Sequence, residues 1–139
     1  MKRVTGIGGI FFKCKDPETM KKWYRDHLGI NMNDYGSTFV YEDRGEAGRK
    51  AILQWSPFPE DTTYFNPSNA SFMINYRVDD LEALVKALKS EGVRIVDEIE
   101  TYEYGKFVHI LDPEDNSIEL WEPIDSALDQ DGEGRMSVE

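Results

Sequence analysis

The chain repeats one pattern, and this internal repeat limits the folds that it can form. Gly9 and Met73 lie seven residues before Asp16 and Asp80, respectively, and each aspartate is followed by an amphipathic segment that ends at a glycine. Aspartate is a preferred residue at the start of a helix, and glycine at its end. Strand-like segments lie on both sides of each helix, so that each half is interpreted as βαβββ.

A βαβββ unit covers one face of its sheet with its own helix and leaves the other face bare. Two such units therefore need each other, or another chain, to close a core. The sequence predicts an α+β fold with modules at residues 4–58 and 70–123, joined by a linker at 59–69. Two curved sheets that face each other would enclose a cavity. The alternative is that the repeat serves only to pack the two halves together. The acidic stretch 124–139 is predicted to be a flexible tail.

Composition excludes several classes of function. A length of 139 residues suits one compact domain. The net charge of -11 disfavours nucleic acid and anionic membrane surfaces as partners. Cys14 is the only cysteine, which excludes an internal disulfide and a CxxC metal site. With no membrane-length apolar run and no signal-peptide pattern, we expect a cytoplasmic protein.

Three stretches of the sequence resemble the vicinal oxygen chelate superfamily, which contains glyoxalase I, bleomycin-resistance proteins and extradiol dioxygenases. These are "GIGGIFFKCKDPETMKKWYRDHLGI", "MINYRVDDLEALVKALKSEGV" and "YGKFVHILDPEDNSIELWEP", which cover most of residues 5–123. The ending Asp-Pro-x-x-Asn-x-Ile-Glu-Leu is the most specific element. The resemblance implies two βαβββ modules that form a cup-shaped mixed sheet, often assembled as a homodimer.

The resemblance also implies positions for a divalent metal, and this sequence departs from the pattern there. The positions fall on Gly9, Gln54, Met73 and Glu119. Glu119 is a good oxygen ligand and Gln54 a weaker one, but Gly9 has no side chain and Met73 offers a soft thioether. The last two would leave volume where an ion would have been. We therefore expect no metal or other cofactor, with a weakly held divalent metal as the alternative.

The two histidines do not restore the missing ligands. His27 falls within the first predicted helix, which is the wrong element for a ligand. His109 falls on a predicted strand, where either face is open to it. We expect His109 to stack or to form hydrogen bonds rather than to bind a metal.

Glu119 is the candidate catalytic residue. Strand alternation places Glu119 and Trp121 on one face and Ile118 and Leu120 on the other. A carboxylate on the cup wall could act as a general base, or could accept a hydrogen bond from a hydroxyl, amine or guanidinium of a ligand. The alternatives are a hydrogen bond with Gln54 or an ion pair with a basic neighbour, for which the candidates are Lys13, Lys106 and Arg77.

The other candidate residues would form an aromatic pocket with polar points, suited to a small organic ligand. The residues predicted to bind this ligand are Phe11, Gln54, Met73, Asn75 and Trp121. Alternatively, Phe11 and Met73 simply complete the core. The linker carries Tyr64 and Phe65, and it either forms a lid over the cup or serves only as a tether.

Three functions are compatible with these features. The first is a resistance or sequestration protein that binds a small organic molecule without a metal. The second is a lyase, isomerase or dioxygenase-type enzyme that uses Glu119 as a base or as a weak metal ligand. Glyoxalase I (lactoylglutathione lyase) activity is disfavoured, because that reaction needs a metal to stabilise an enediolate. The third is a partner-regulated module in which the cup is only a remnant.

Overall fold

The computed structural model describes residues 2–42 and 48–124. The predicted tail lies outside these residues, except for Ile124. The described elements, in chain order, are β1 (Val4–Cys14), α1 (Pro17–Leu28), β2 (Ser37–Glu42), β3 (Lys50–Pro59), β4 (Phe72–Val78), α2 (Leu81–Ser90), β5 (Glu100–Tyr102), β6 (Gly105–Leu111) and β7 (Ser117–Pro123).

All the described strands belong to one mixed sheet with the order β2-β3-β1-β4-β7-β6-β5. The central pair, β1 and β4, is antiparallel, and each of the two strands has a parallel neighbour from its own half, β3 and β7. The outer pairs β2–β3, β6–β7 and β5–β6 are antiparallel. The predicted α+β fold with two related halves in one mixed sheet is therefore confirmed.

The halves differ by one strand within the described residues. The second half has the full β4-α2-β5-β6-β7 order, whereas the first has β1-α1-β2-β3. In the first half, the segment between α1 and β2 forms a turn. The Asn33 side-chain oxygen accepts hydrogen bonds from the backbone N–H of Tyr35 at 2.8 Å and of Gly36 at 3.0 Å. This local hydrogen bonding favours a turn over an extended strand.

The predicted helix boundaries are confirmed. The Asp16 carboxylate accepts hydrogen bonds from the first turn of α1, and Gly29 ends that helix with a φ of 71°, in the left-handed region. The Asp80 carboxylate accepts a hydrogen bond of 3.1 Å from the backbone N–H of Ala83 at the start of α2. Within the described part of the chain, no helix is long and apolar enough to cross a membrane.

Both helices pack on the same face of the sheet, but they bury different amounts of apolar surface. The α2 side is an aliphatic cluster of buried residues, namely Val78, Leu81, Leu84, Val85, Val108, Ile110 and Leu120. On the α1 side, Tyr24 packs against Trp55 with ring centroids 4.8 Å apart, while Trp23 and Leu28 remain exposed. Gln54 and Glu119 alternate with Trp55 and Leu120 along their strands, so their side chains point to the opposite, helix-free face.

Candidate functional site

One row of side chains crosses the middle of the helix-free face. Each member is the cross-strand neighbour of the next, and such neighbours share a face of the sheet. This central row consists of Thr38, Gln54, Gly9, Asn75, Glu119 and His109. The first three belong to the first half of the chain, and the last three belong to the second half.

The sequence-based placement of one row position was wrong. The resemblance placed Met73 at the position of the second half that corresponds to Gly9 in the first half. The strand register instead pairs Gly9 with Asn75, and Met73 pairs with Phe11. The register between β1 and β4 shifts twice before this point, between Val4 and Gly6 and between Ile7 and Gly9. The distance from the cap differs between the halves because β1 continues to Cys14, whereas β4 ends at Val78: Gly9 lies seven residues before Asp16, and Asn75 lies five residues before Asp80.

The Glu119 carboxylate is buried, at 2% exposure, and is surrounded by hydrogen-bond donors. Asn75 Nδ2 donates to Oε1 at 2.7 Å, His109 Nε2 lies 2.9 Å from Oε2, and the Tyr64 hydroxyl also donates to Oε2. The expected basic partners are engaged elsewhere: Lys106 pairs with Glu82, Lys13 lies over the Phe65 ring, and Arg77 lies over the Trp121 ring. The alternatives of an ion pair with a lysine or arginine and of a hydrogen bond with Gln54 are therefore replaced by a network of two neutral donors and one imidazole.

His109 connects Glu119 to a second carboxylate, Asp97. His109 Nδ1 lies 2.6 Å from Asp97 Oδ2, and the His109 backbone N–H donates to Asp97 Oδ1 at 2.7 Å. Burial lowers the pKa of His109, but the interactions with Glu119 and Asp97 outweigh this effect and raise the pKa to about 9. The ring is therefore protonated at neutral pH, and both of its nitrogens donate.

Asp97 was missed by the sequence reasoning. Asp97 follows the isolated bridge between Ile95 and Ile110 and lies in an irregular segment. This pairing places Val96 opposite His109, since the backbone N–H of Val96 donates to the carbonyl of His109. The Asp97 carboxylate reaches the histidine from the next residue along the chain, and strand alternation alone does not predict that contact.

Tyr64 reaches the site from the segment that connects the halves, defined here as the covering segment, residues 60–71. Burial and the negative charge of Glu119 both raise the pKa of the Tyr64 hydroxyl, which is therefore a neutral donor. Its ring lies parallel to Phe58, with centroids 5.7 Å apart, and edge-on to His109 at 5.4 Å. The neighbouring Phe65 is completely buried, against Phe11 and Met73. The covering segment therefore does more than join the halves, since Tyr64 and Phe65 both contact residues of the sheet.

Phe11 and Met73 are buried beneath the covering segment, as the alternative of a completed core predicted. The Phe11 ring also lies over Gly9. A Cβ atom added to Gly9 would come within 2.7 Å of that ring. The volume expected at Gly9 is therefore filled by the Phe11 side chain, and the expectation of free space there was wrong.

The remaining predicted residues lie near Glu119 without contacting it. The Gln54 side chain accepts a hydrogen bond of 2.9 Å from the Thr38 hydroxyl, on the other side of Gly9. The Trp121 indole stacks on Phe107 with ring centroids 5.7 Å apart, and its Nε1 donates to the carbonyl of Tyr104 at 3.1 Å. The structure thus joins Asn75 and Glu119 by a hydrogen bond, whereas the Gln54 and Trp121 side chains form hydrogen bonds with other residues.

These residues do not fit a divalent metal. Glu119 is the only carboxylate in the central row, and donors from three side chains occupy its oxygens. Gln54 is separated from Glu119 by Gly9 and Asn75, and the Phe11 ring fills the space over Gly9. Over residues 2–42 and 48–124, no group of three or more His, Cys, Asp or Glu side chains is arranged to hold a metal ion.

Several solved structures share this fold. Methylmalonyl-CoA epimerase from Mycobacterium tuberculosis is 23% identical, with a TM-score of 0.58 over 93% of this chain and 95% of that one. A variant of Streptomyces coelicolor methylmalonyl-CoA epimerase, in complex with 2-nitronate-propionyl-CoA, is 15% identical, with a TM-score of 0.63 over 87% and 99% of the two chains. The Mn(II)-bound glyoxalase from Novosphingobium aromaticivorans is also 15% identical, with a TM-score of 0.61 over 88% of this chain and 40% of that one.

At these identities the structural likeness shows the fold alone. No curated protein matches the sequence. The family model of the Glyoxalase/Bleomycin resistance protein/Dioxygenase superfamily matches residues 6–120, which is most of the chain and includes both halves of the sheet. With the register and the paired halves described above, this match identifies the chain as a member of that superfamily.

Proposed function

We propose that the protein binds a small organic molecule on the helix-free face, at Glu119, without a metal. The observation that carries the proposal is the unequal attachment of the donors around Glu119. Asn75 and His109 belong to strands of the sheet, whereas Tyr64 belongs to the covering segment. A ligand that presents a donor could therefore replace Tyr64 and leave the sheet unchanged.

This role corresponds to resistance or sequestration proteins, which bind a compound and do not transform it. The chemistry of the donor set supports binding without a metal, because a carboxylate surrounded by donors has few lone pairs left for an ion. A cytoplasmic location and a homodimer are part of the proposal. Sedimentation equilibrium of the full chain tests the dimer, and a monomer at all concentrations would contradict that part.

The test is a thermal-shift screen of small aromatic and cationic compounds, with and without a chelator. We expect at least one compound to raise the melting temperature equally in both conditions, since ligand binding to the folded state stabilises it. Glu119→Gln should lose this shift. Tyr35→Ala is the control, because that tyrosine is highly exposed and lies outside the site. A divalent ion retained at one per chain, or a shift that the chelator abolishes, would contradict the proposal.

A second candidate is an enzyme of the isomerase class, which the Asp97–His109–Glu119 chain favours. The Glu119 carboxylate could remove a proton from a carbon next to a carbonyl group, and the protonated His109 could supply one. Return of a proton to the opposite face of the planar intermediate inverts the carbon centre. Two of the fold neighbours described above carry the name methylmalonyl-CoA epimerase. Solvent deuterium exchange into methylmalonyl-CoA tests this candidate. Exchange lost in Glu119→Gln would support it, and no exchange by the native protein would exclude this substrate.

A further inference from the structure

The ring of Tyr64 lies among Phe58, His109 and Glu119, and the space that the ring occupies beside these three residues is defined here as the slot. Phe58 forms a flat wall, parallel to the tyrosine ring within 5°. The His109 imidazole meets the ring at 88° and forms a second wall, and Glu119 lies at the inner end. A flat ring fits between such walls. An ionised carboxylate only accepts hydrogen bonds, so the group that meets Glu119 must be a donor.

The side chain of Tyr64 can leave the slot while the backbone around it stays in place. Tyr64 is 44% exposed, whereas the next residue, Phe65, is 0% exposed. The Phe65 carbonyl accepts hydrogen bonds from the Ser117 hydroxyl at 2.7 Å and from the Ser68 backbone N–H at 3.0 Å. Because these bonds hold the backbone, rotation of the Tyr64 side chain towards solvent would open the slot without disturbing the buried cluster.

An empty slot would be unfavourable, since a buried carboxylate that loses a donor is less well compensated. We infer that Tyr64 is an internal ligand of this site, and that the external ligand is a planar ring bearing an O–H or N–H donor, which takes the place of the Tyr64 ring. This inference rests on the proposed function and adds the chemical class of the ligand.

The experiment uses p-cresol, which is the tyrosine side chain as a free molecule, and toluene, which has nearly the same shape but no hydroxyl. Isothermal titration calorimetry measures both with the native protein and with Tyr64→Ala. We expect Tyr64→Ala to bind p-cresol roughly tenfold or more tightly than toluene, because a hydrogen bond to a charged group contributes at least this factor. The native protein should bind p-cresol several-fold more weakly than the variant, since its own ring competes.

Two matched variants separate the slot from general effects. Tyr35→Ala removes a tyrosine far from the slot and should bind p-cresol as the native protein does. Tyr64→Ala combined with Glu119→Gln keeps the slot but removes the charge of the acceptor, so the preference for p-cresol over toluene should fall several-fold. An unchanged preference in this double variant, or equal binding of p-cresol and toluene to Tyr64→Ala, would overturn the inference.

If Tyr64→Ala does not fold, the native protein still decides the question. With tyrosine rings labelled for NMR, p-cresol should move the Tyr64 resonances more than those of Tyr35, and toluene should not. Equal shifts at both tyrosines would overturn the inference.

The slot proposal and the proposed function can fail separately. p-Cresol binding to Tyr64→Ala with no hit in the native screen supports the slot and contradicts the function. If the screen finds ligands that have no O–H or N–H on a planar ring, and p-cresol does not bind to Tyr64→Ala, the proposed function is supported and the slot proposal is contradicted.

Discussion

The central row carries Thr38, Gln54 and Gly9 in the first half of the chain, none of which is charged, and Asn75, Glu119 and His109 in the second. The helices differ in the same direction, because α2 covers an aliphatic cluster while the only buried residue of α1 is Lys21. The two halves therefore share a backbone pattern but do not carry equivalent side chains. In this molecule the second half contains the charged side chains of the central row and the aliphatic cluster beneath α2.

The largest expected effect compares the two helices through the same substitution. Leu84→Ala, at a residue of α2 with 3% exposure, should lower the free energy of unfolding by about 2–5 kcal/mol, because it leaves a cavity in the core. Leu28→Ala, at a residue of α1 with 57% exposure, should change it by less than about 0.5 kcal/mol. Urea unfolding followed by circular dichroism measures both. Equal losses would contradict the unequal packing of the two helices.

The next comparison is between the two halves of the central row. Glu119→Ala should lower the free energy of unfolding by about 2–3 kcal/mol, since Asn75 and His109 lose a charged acceptor. Gln54→Ala removes neutral hydrogen bonds to Thr38 and Ser56, and its cost should be nearer about 1 kcal/mol. Chemical denaturation at pH 7 measures the difference. A larger loss for Gln54→Ala would reverse the assignment of the site to the second half.

The pH dependence of stability should also separate the halves. The pKa of His109 is raised from 6.5 to about 9 in the folded protein, so its protonation stabilises the fold. This stabilisation is complete below about pH 6.5, the unfolded value, and is lost as the pH rises through about 9. The stability difference between the native protein and His109→Gln should therefore be larger at pH 6 than at pH 10.

His27→Gln is the control for this pH experiment, because His27 lies exposed on α1 in the first half. Its stability profile between pH 6 and pH 10 should follow that of the native protein. For the native protein and both variants, the urea midpoint is measured at each pH. A difference that stays constant across the range would mean that His109 does not gain its proton through Glu119 and Asp97.

The smallest expected effect compares the two helix caps. Asp16 accepts hydrogen bonds from the backbone of Glu18 and Thr19 and from the Thr19 hydroxyl, whereas Asp80 accepts one from Ala83. At α2, Glu122 also accepts a hydrogen bond from the backbone N–H of Leu81. Asp16→Ala should therefore lower the urea midpoint more than Asp80→Ala does. The reverse order would show that Glu122 does not support the start of α2.

Most of the fold could be predicted from the sequence, because helix caps and strand alternation are local signals. Asp16 and Asp80 start helices as predicted, and Glu119 and Leu120 lie on opposite faces of β7. The turn at Asn33 replaces a strand because a side chain competes for the backbone hydrogen bonds. That outcome depends on the geometry of one loop, which periodicity does not report.

The site was only partly predictable. Glu119 and Asn75 share one face of adjacent strands, and alternation is sufficient to place each of them. Tyr64 reaches Glu119, and Asp97 reaches His109, from irregular segments, where no periodic pattern fixes the direction of a side chain. Met73 was placed wrongly because β1 continues to Cys14, five residues beyond Gly9, whereas β4 ends at Val78, three residues beyond Asn75.

The position of the Phe11 ring over Gly9 also makes positions 9 and 11 depend on each other. A metal-binding side chain introduced at position 9 alone would collide with that ring, since even its Cβ atom would lie 2.7 Å from it. Such a side chain requires the ring to leave the buried cluster or position 11 to change as well, so the effect of a substitution at one position depends on the residue at the other.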